Sequence, residues 1–209
     1  MVSADEGRQP TSHERMAGRP WDASYQDGPP AWDFGGPQPA VVRAAARFTG
    51  TVLDAGCGSG ENALHVASLG LPVLGVDVAE TALALAREKA AARGLKAEFT
   101  YADALQLERL GRRFQTVLDC GLFHTFDADE RRAYVASLAA VIESGGSLYI
   151  LCFRDAGPGS GPHPLIRADL ESPFTTGWTI VEVSPTEIRA NLPNSTEAPA
   201  WLATIRRTG

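Results

Sequence analysis

Residues 51–60 constrain the fold of this chain more than any other stretch. They read TVLDAGCGSG, in which apolar residues lead directly into glycines at positions 56, 58 and 60. Apolar residues such as Val52 and Leu53 are typical of a strand that is covered on both faces. Glycines let the backbone adopt positive φ and let a ligand approach the main chain closely. The stretch therefore predicts a buried parallel strand that ends in a ligand-binding turn.

A helix is predicted directly after this turn. Residues 61–69 carry apolar side chains at helical spacing, and Gly70 is a typical C-terminal cap. A strand, a glycine turn and a helix N-terminus in this order form a site for nucleotide-type ligands. The dinucleotide fingerprint Gly-x-Gly-x-x-Gly is not met, because Glu61 stands where its third glycine would be. With Asp54 and Glu61 beside the turn, the site suits a cationic ligand better than a pyrophosphate.

The rest of the chain predicts an α/β fold. Further strands are predicted over residues 72–78, 97–101, 114–121 and 147–153, with helices over residues 79–93 and from Asp127 or Asp129 to about residue 142. The last portion is strand-rich and lacks long helices. This order indicates a doubly wound sheet with an antiparallel hairpin at one edge, and no second domain.

Acidic residues stand at the ends of successive predicted strands. Asp77 follows the second strand, where a carboxylate can accept hydrogen bonds from ribose hydroxyls. Asp103 follows the third strand. Either residue could instead be the N-terminal cap of the helix that comes after it.

With acids at 54, 77 and 103 in register, residues 50–153 resemble the class I SAM-dependent methyltransferases. Residues 32–39 (WDFGGPQP), the Leu122-Phe123-His124 segment and Gly161-Pro162 are similar to the thiopurine methyltransferase-like branch. Small bacterial members of that branch act on quinones and heterocyclic toxins. The resemblance implies a seven-stranded Rossmann-like sheet, S-adenosylmethionine (SAM) as methyl donor, S-adenosylhomocysteine (SAH) as product, and a small aromatic or heterocyclic acceptor methylated on oxygen or sulfur.

The resemblance also implies individual site residues. The cofactor-binding residues would be Trp32, Asp54, Gly56, Gly58, Asp77, Val78, Ala102, Asp103, Ala104, Cys120 and Gly121. The acceptor pocket would be lined by Tyr25, Phe34, Phe123, Phe153 and Arg154. His124 is the candidate general base, because an ordinary histidine pKa of ~6.5 suits proton removal near neutrality. A packing or capping histidine is the alternative, as is a reaction without any base.

The N-terminal part divides into two segments. Residues 1–20 are polar and predict a disordered leader, so His13 is expected to be incidental, like His65 and His163. Residues 21–39 place four aromatic residues among prolines. They are either a strap packed across the core or a lid over the ligand, and they form one methyltransferase domain with the remainder, residues 21–209.

Charge and cysteine content narrow the function classes. A net charge of −6 disfavours a nucleic-acid partner. Three cysteines, an odd number, indicate free thiols and a cytoplasmic protein. No apolar run is long enough to span a membrane, and no His or Cys spacing predicts a metal site. The sequence leaves monomer or homodimer open. The competing functions are a methyltransferase acting on a protein side chain, a non-catalytic SAM-binding regulator and, less favoured, an NAD-dependent oxidoreductase.

Overall fold

A single seven-stranded sheet organises the computed structural model, which describes residues 8–157, 163–192 and 195–209. Its strands are β1 (Val52–Ala55), β2 (Val73–Asp77), β3 (Glu98–Tyr101), β4 (Phe114–Cys120), β5 (Ile142–Phe153), β6 (Trp178–Leu192) and β7 (Ser195–Arg207). The strand order is β3-β2-β1-β4-β5-β7-β6. Strands β1 to β5 are parallel, and β7 runs antiparallel to both β5 and β6. The predicted fold, including its antiparallel edge hairpin, is confirmed.

The helices are α1 (Ser12–Ala17), α2 (Ala23–Gln26), α3 (Pro39–Ala45), α4 (Glu61–Ser68), α5 (Glu80–Arg93), α6 (Ala128–Val141) and α7 (Arg167–Glu171). Short 3₁₀ segments cover Ala104–Leu110 and Phe123–Thr125. Helix α6 begins at Asp127, whose side chain accepts hydrogen bonds from the backbone N–H groups of Asp129 and Glu130. Over the described ranges, none of the helices has both the length and the apolar character needed to cross a bilayer.

Two apolar clusters cover the two faces of the sheet. On one face Leu53 and Ile150 pack with Leu138 of α6. On the other, Val52 and Leu151 pack with helices α3, α4 and α5. Successive strand residues point to opposite faces, which is why each apolar strand contributes to both clusters. Both faces of the sheet are therefore buried, and a ligand site can form at the ends of the strands.

The N-terminal segment departs from the sequence prediction. The prediction of a disordered leader is wrong for residues 8–20, because α1 forms there and is held to the domain. The Ser12 hydroxyl donates to the Thr125 carbonyl oxygen (3.0 Å), and the Ser12 N–H donates to Glu130 (2.7 Å). Polar composition suggested disorder because these partners lie far along the chain and leave no local signal.

Candidate functional site

A cavity of about 200 Å³ opens at the carboxyl ends of β1 to β4. In open α/β sheets this is where ligands bind, at the point where strand order reverses. The structure brings most of the predicted site residues to its wall: Tyr25, Trp32, Phe34, Gly56, Gly58, Asp77, Val78, Ala102, Asp103, Ala104, Cys120, Gly121, His124 and Phe153. Parallel strands end at one edge, so residues that follow different strands meet there.

The glycine turn after β1 is tightly enclosed. The N–H groups of Gly56 and Cys57 donate to the carbonyl oxygen of Val76, at 2.8 and 2.9 Å. Gly58 has a φ of 52°, and a Cβ atom at this position would lie 2.7 Å from the Tyr25 hydroxyl. A side chain at position 58 would therefore strain the backbone and collide with Tyr25.

Asp77, the last residue of β2, is hydrogen-bonded to the glycine turn that follows β1. One carboxylate oxygen accepts the Gly58 N–H at 2.7 Å, and the other accepts the Ala79 N–H at 2.9 Å. Burial raises the pKa of this carboxyl above its ordinary value. Each carboxylate oxygen has a second lone pair, so Asp77 can cap the backbone and still accept bonds from a ligand diol. The two roles predicted for Asp77, a cap of the following helix and an acceptor for ribose hydroxyls, are therefore compatible.

Asp103 also caps the backbone while its side chain remains available to a ligand. One of its carboxylate oxygens accepts the Leu105 N–H at 2.9 Å, which caps the 3₁₀ segment, and the residue also lines the cavity. Its small apolar neighbours Val78, Ala102 and Ala104 line the cavity too. A polar acceptor beside small apolar walls suits the edge and faces of a flat heterocycle such as adenine.

Asp54 lies beneath the cavity rather than on its wall. It is 1% exposed, and one carboxylate oxygen has no hydrogen-bond partner among the described residues. Burial, followed by the negative charges of Asp119 and Asp77, raises the pKa of Asp54 to about 7. The structure thus places Asp54 behind the cavity wall, so a role of Asp54 in cofactor binding stays a prediction.

We expect Asp54→Asn to stabilise the protein increasingly as pH rises. An unfolded aspartate has a pKa of about 3.9, so the folded protein holds the extra proton and loses stability between about pH 4 and about pH 7. Asparagine does not titrate, so its advantage should grow by about 2–3 kcal/mol between pH 5 and pH 8. Chemical unfolding at both pH values measures this, with exposed Asp129→Asn as the control. An advantage that does not change with pH would contradict a raised pKa.

Two residues assigned to the acceptor pocket lie elsewhere. Phe123 is fully buried in the core, where its ring packs against Phe174 and Tyr134, because its short 3₁₀ turn points it under the sheet edge. Arg154 places its guanidinium 5.2 Å from the centre of the Trp201 ring and does not line the cavity. Both pocket assignments are wrong for this structure. Gly161-Pro162, part of the narrower resemblance, lie outside the described residues.

His124 lines the cavity, but its surroundings disfavour the predicted role of general base. Burial, followed by the charges of His163 and His13, lowers its pKa to about 3. Its Nδ1 accepts the Phe153 N–H at 3.4 Å, which puts the ring proton of the neutral form on Nε2. A neutral imidazole in this state can donate a hydrogen bond to a ligand and is a weak proton acceptor.

Glu61 contributes less negative charge than its position suggested. Its carboxylate pairs with Lys89 at 3.0 Å and with Arg93 at 2.8 Å. Burial alone would raise its pKa, but hydrogen bonds from Arg93 and Lys89 outweigh burial and lower it. The preference of the cavity for a cation therefore rests on Asp77 and Asp103, since Glu61 is already neutralised.

The N-terminal segment supplies cavity residues that the sequence prediction missed: Arg8, Thr11 and His13. Arg8 pairs with the buried carboxylate of Glu14, which also accepts the Thr11 N–H (2.9 Å) and the Trp21 N–H (3.2 Å). Glu14 thereby connects Arg8, Thr11 and Trp21 to one another. The Thr-x-x-Glu spacing of residues 11–14 is a capping-box pattern, and that signal could have revealed α1.

The aromatic segment, residues 21–39, packs against the domain. Tyr25 is buried, and its hydroxyl accepts the Trp32 indole N–H at 2.9 Å. Trp32 remains 41% exposed at the cavity wall. These contacts match the strap alternative, while closure of the segment over a bound ligand stays a prediction.

The tip of the C-terminal hairpin completes the wall with Ile188, Arg189 and Ala190. The buried side chain of Gln38 forms two hydrogen bonds with the backbone of Arg189, as a neighbouring strand would. Its amide donates to the Arg189 carbonyl oxygen and accepts the Arg189 N–H, both at 2.8 Å. The sequence carries no signal for this contact, because the two residues are 151 positions apart.

The residues at the strand ends fit an adenosine ligand with a positive charge. Carboxylates stand where a ribose and an adenine edge would bind, and the glycine turn admits close approach to the backbone. Within residues 8–157, 163–192 and 195–209, no group of three or more His, Cys, Asp or Glu side chains could hold a metal ion.

Comparisons with known proteins agree with this geometry. Residues 52–146 match a family model described as "Methyltransferase domain". The chain is 35% identical over 168 residues to 2-heptyl-1-hydroxyquinolin-4(1H)-one methyltransferase of Mycobacteroides abscessus, covering 78% of this chain and 74% of that protein. It is 25% identical over 146 residues to a probable thiol methyltransferase 2 of Arabidopsis thaliana, covering 66% of this chain and 65% of that protein.

Solved structures extend the comparison to the whole fold. One described by "Conversion of a Disulfide Bond into a Thioacetal Group during Echinomycin Biosynthesis" superposes with a TM-score of 0.81 at 39% identity. That superposition covers 90% of this chain and 91% of the other. TehB from Haemophilus influenzae superposes with a TM-score of 0.65 at 19% identity, over 81% of this chain and 62% of that one, and shows the fold alone.

Proposed function

This chain belongs to the class I SAM-dependent methyltransferases, and on that premise we propose that it methylates a hydroxyl oxygen or thiol sulfur of a small aromatic or heterocyclic acceptor. A 35% identical relative is named for a hydroxyquinolinone, and a 39% identical structure is described by the chemistry of a sulfur-containing natural product. The first name contains a hydroxyl group and the second description contains sulfur groups, so the proposal covers both oxygen and sulfur.

The enclosing aromatic wall is the observation that carries this proposal. Trp21, Tyr25, Trp32 and Phe34 cover the cavity from the N-terminal side, and Phe153 lies at the end of β5. Flat aromatic rings gain favourable stacking or edge contacts in such a slot. An extended protein tail would need an open groove, so the cover disfavours the alternative of a protein side chain as acceptor. The absent third glycine at Glu61 still disfavours NAD.

The cofactor would be held by residues at the strand ends. Asp77 suits the ribose hydroxyls, and Asp103 with Ala102 and Ala104 suits adenine. When bound, SAM supplies a methyl group activated by a positively charged sulfur. The protein's own contribution is to align the acceptor with that methyl group and to exclude water.

Methylation of an acceptor hydroxyl requires that its proton be removed. A hydroxyl has to lose its proton as the new bond forms, whereas an acidic aryl thiol is already ionised near neutral pH. The neutral His124, with its proton on Nε2, would donate a hydrogen bond that orients the acceptor. This arrangement suits several acceptor atoms, provided that another group accepts the hydroxyl proton.

An acceptor screen tests the proposal. We expect the protein to methylate a hydroxyquinolinone or an aryl thiol, with kcat/KM at least about 100-fold above that for a lysine- and arginine-rich peptide. Mass spectrometry of the products measures transfer. Gly58→Val is the control, because a side chain there strains the turn and meets Tyr25, and it should bind SAM poorly.

Two outcomes would contradict the proposal. Methylation of the peptide alone would favour a protein acceptor. SAM binding without transfer to any member of a panel of quinols, hydroxyquinolinones, phenols and thiols would favour the regulator alternative.

A further inference from the structure

Two histidines without an assigned role meet at the cavity. Nδ1 of His13 and Nε2 of His163 are 3.2 Å apart, although 150 positions separate the residues. Both line the cavity, as does His124. The distance is that of a hydrogen bond between two imidazoles, in which one ring donates and the other accepts.

Stacking holds one member of this pair, and the other has an unusual backbone conformation. The His13 ring stacks on Trp21, with ring centroids 4.2 Å apart and planes inclined by 7°. His163 has a φ of 50°, the left-handed region that residues other than glycine rarely adopt. Strained backbone of this kind persists where surrounding structure enforces it, and it is concentrated at functional sites.

Burial and neighbouring charges act on the pKa of His13. Burial lowers the pKa of His13, His163 and Arg19 lower it further, and Glu14 opposes them. After burial, the charges that lower the pKa of His124 are those of His163 and then His13. His13, His163 and His124 all line the cavity, so the pair adjoins the space in which an acceptor would bind.

We propose that His163 is the general base of this enzyme and that His13 relays the proton away from it. The inference rests on the proposed methylation of a small acceptor. The hydrogen bond occupies Nε2 of His163, which leaves Nδ1 as the ring nitrogen that can take the acceptor proton. His13 is then a positioning and relay residue.

The proton path balances without a further reactant. The acceptor O–H bond breaks, and its proton binds Nδ1 of His163. The proton on Nε2 of His163 crosses to Nδ1 of His13, and the proton on Nε2 of His13 passes to water. The electron pair left on the acceptor oxygen forms the new bond to the methyl carbon, and the pair of the broken carbon–sulfur bond stays on the leaving sulfur.

Two acceptors of different acidity test the pair. With an acceptor hydroxyl that is un-ionised at neutral pH, His163→Gln should lower kcat about 100-fold and remove the acid limb of the pH–rate profile. His13→Gln should lower kcat about 10-fold, since it removes only the relay. With an aryl thiol that is already a thiolate, both variants should stay within about 3-fold of the wild type. SAM affinity by calorimetry should not change, and His65→Gln, outside the cavity, is the matched control.

A second readout needs no turnover. In nitrogen-15 NMR of the protein without SAM, the imidazole nitrogens of His13 and His163 should show the coupling expected of a hydrogen bond between the two rings, and His13→Gln should abolish it. Absence of that coupling would overturn the hydrogen-bonded pair.

The kinetic outcomes separate this inference from the proposed function. Equal losses on hydroxyl and thiol acceptors, or unchanged turnover on both, would overturn the base assignment alone. A folded wild-type protein that methylates neither acceptor would contradict the proposed function and the base assignment together.

Discussion

Alanine in place of Asp77 is expected to weaken SAM binding by about 3–4 kcal/mol, a few-hundred-fold loss of affinity. The carboxylate would accept two ribose hydroxyls, and it also holds the Gly58 N–H at 2.7 Å, so its removal loosens the glycine turn as well. Isothermal titration with SAM and with SAH measures the loss.

Asp103→Ala serves as the comparison for this result. Its expected loss is smaller, about 1 kcal/mol, because Val78, Ala102 and Ala104 still line the adenine site. A larger loss for Asp103→Ala would reverse the ranking of ribose over adenine contacts. Unchanged affinity in Asp77→Ala would remove Asp77 from the cofactor site.

Deletion of residues 2–18 is expected to lower kcat/KM for a hydroxyl acceptor about 1,000-fold. The composition of the segment predicts a disordered leader. The structure instead shows that α1 carries His13 to the cavity and that Glu14 anchors Arg8 and Trp21. The deletion removes part of the wall and the relay together, and steady-state kinetics measures both effects.

Point variants of α1 refine this prediction. Glu14→Ala should lower turnover strongly, since its ion pair with Arg8 is lost and the Thr11 and Trp21 N–H groups lose their acceptor. Met16→Ala, whose side chain is 65% exposed, should have little effect. Limited proteolysis within residues 8–39 should be faster in Glu14→Ala and slower when SAH is bound. Full turnover by the deletion variant would show that α1 is not part of the working site.

Much of the fold follows from local sequence patterns. Apolar runs such as residues 72–76 predict buried parallel strands, and the glycine run after β1 predicts the turn that carries the site. Asp77 and Asp103 could be assigned from sequence, because residues that follow parallel strands meet at one edge of the sheet. Such assignments need only the strand order, which the alternation of strands and helices already implies.

Local sequence patterns did not predict the features that depend on contacts between residues far apart in the chain. Phe123 could be identified as apolar and close to the site, but only packing against Phe174 shows that it faces the core. Asp54 is part of the glycine pattern, yet its burial under the turn depends on the neighbouring strands. Direction and burial of a side chain are properties of the packed elements around it.

The sequence by itself determined the sheet, the glycine turn and the acids at the strand ends of this protein, since each depends on short-range periodicity and strand order. Tertiary structure alone decided how the cavity is closed. Ser12 reaches Glu130, Gln38 reaches Arg189, and His13 reaches His163 across 118, 151 and 150 positions of chain. Such contacts form only after the core has packed, because until then the loop-closure entropy of bringing the partners together is not offset by a single hydrogen bond.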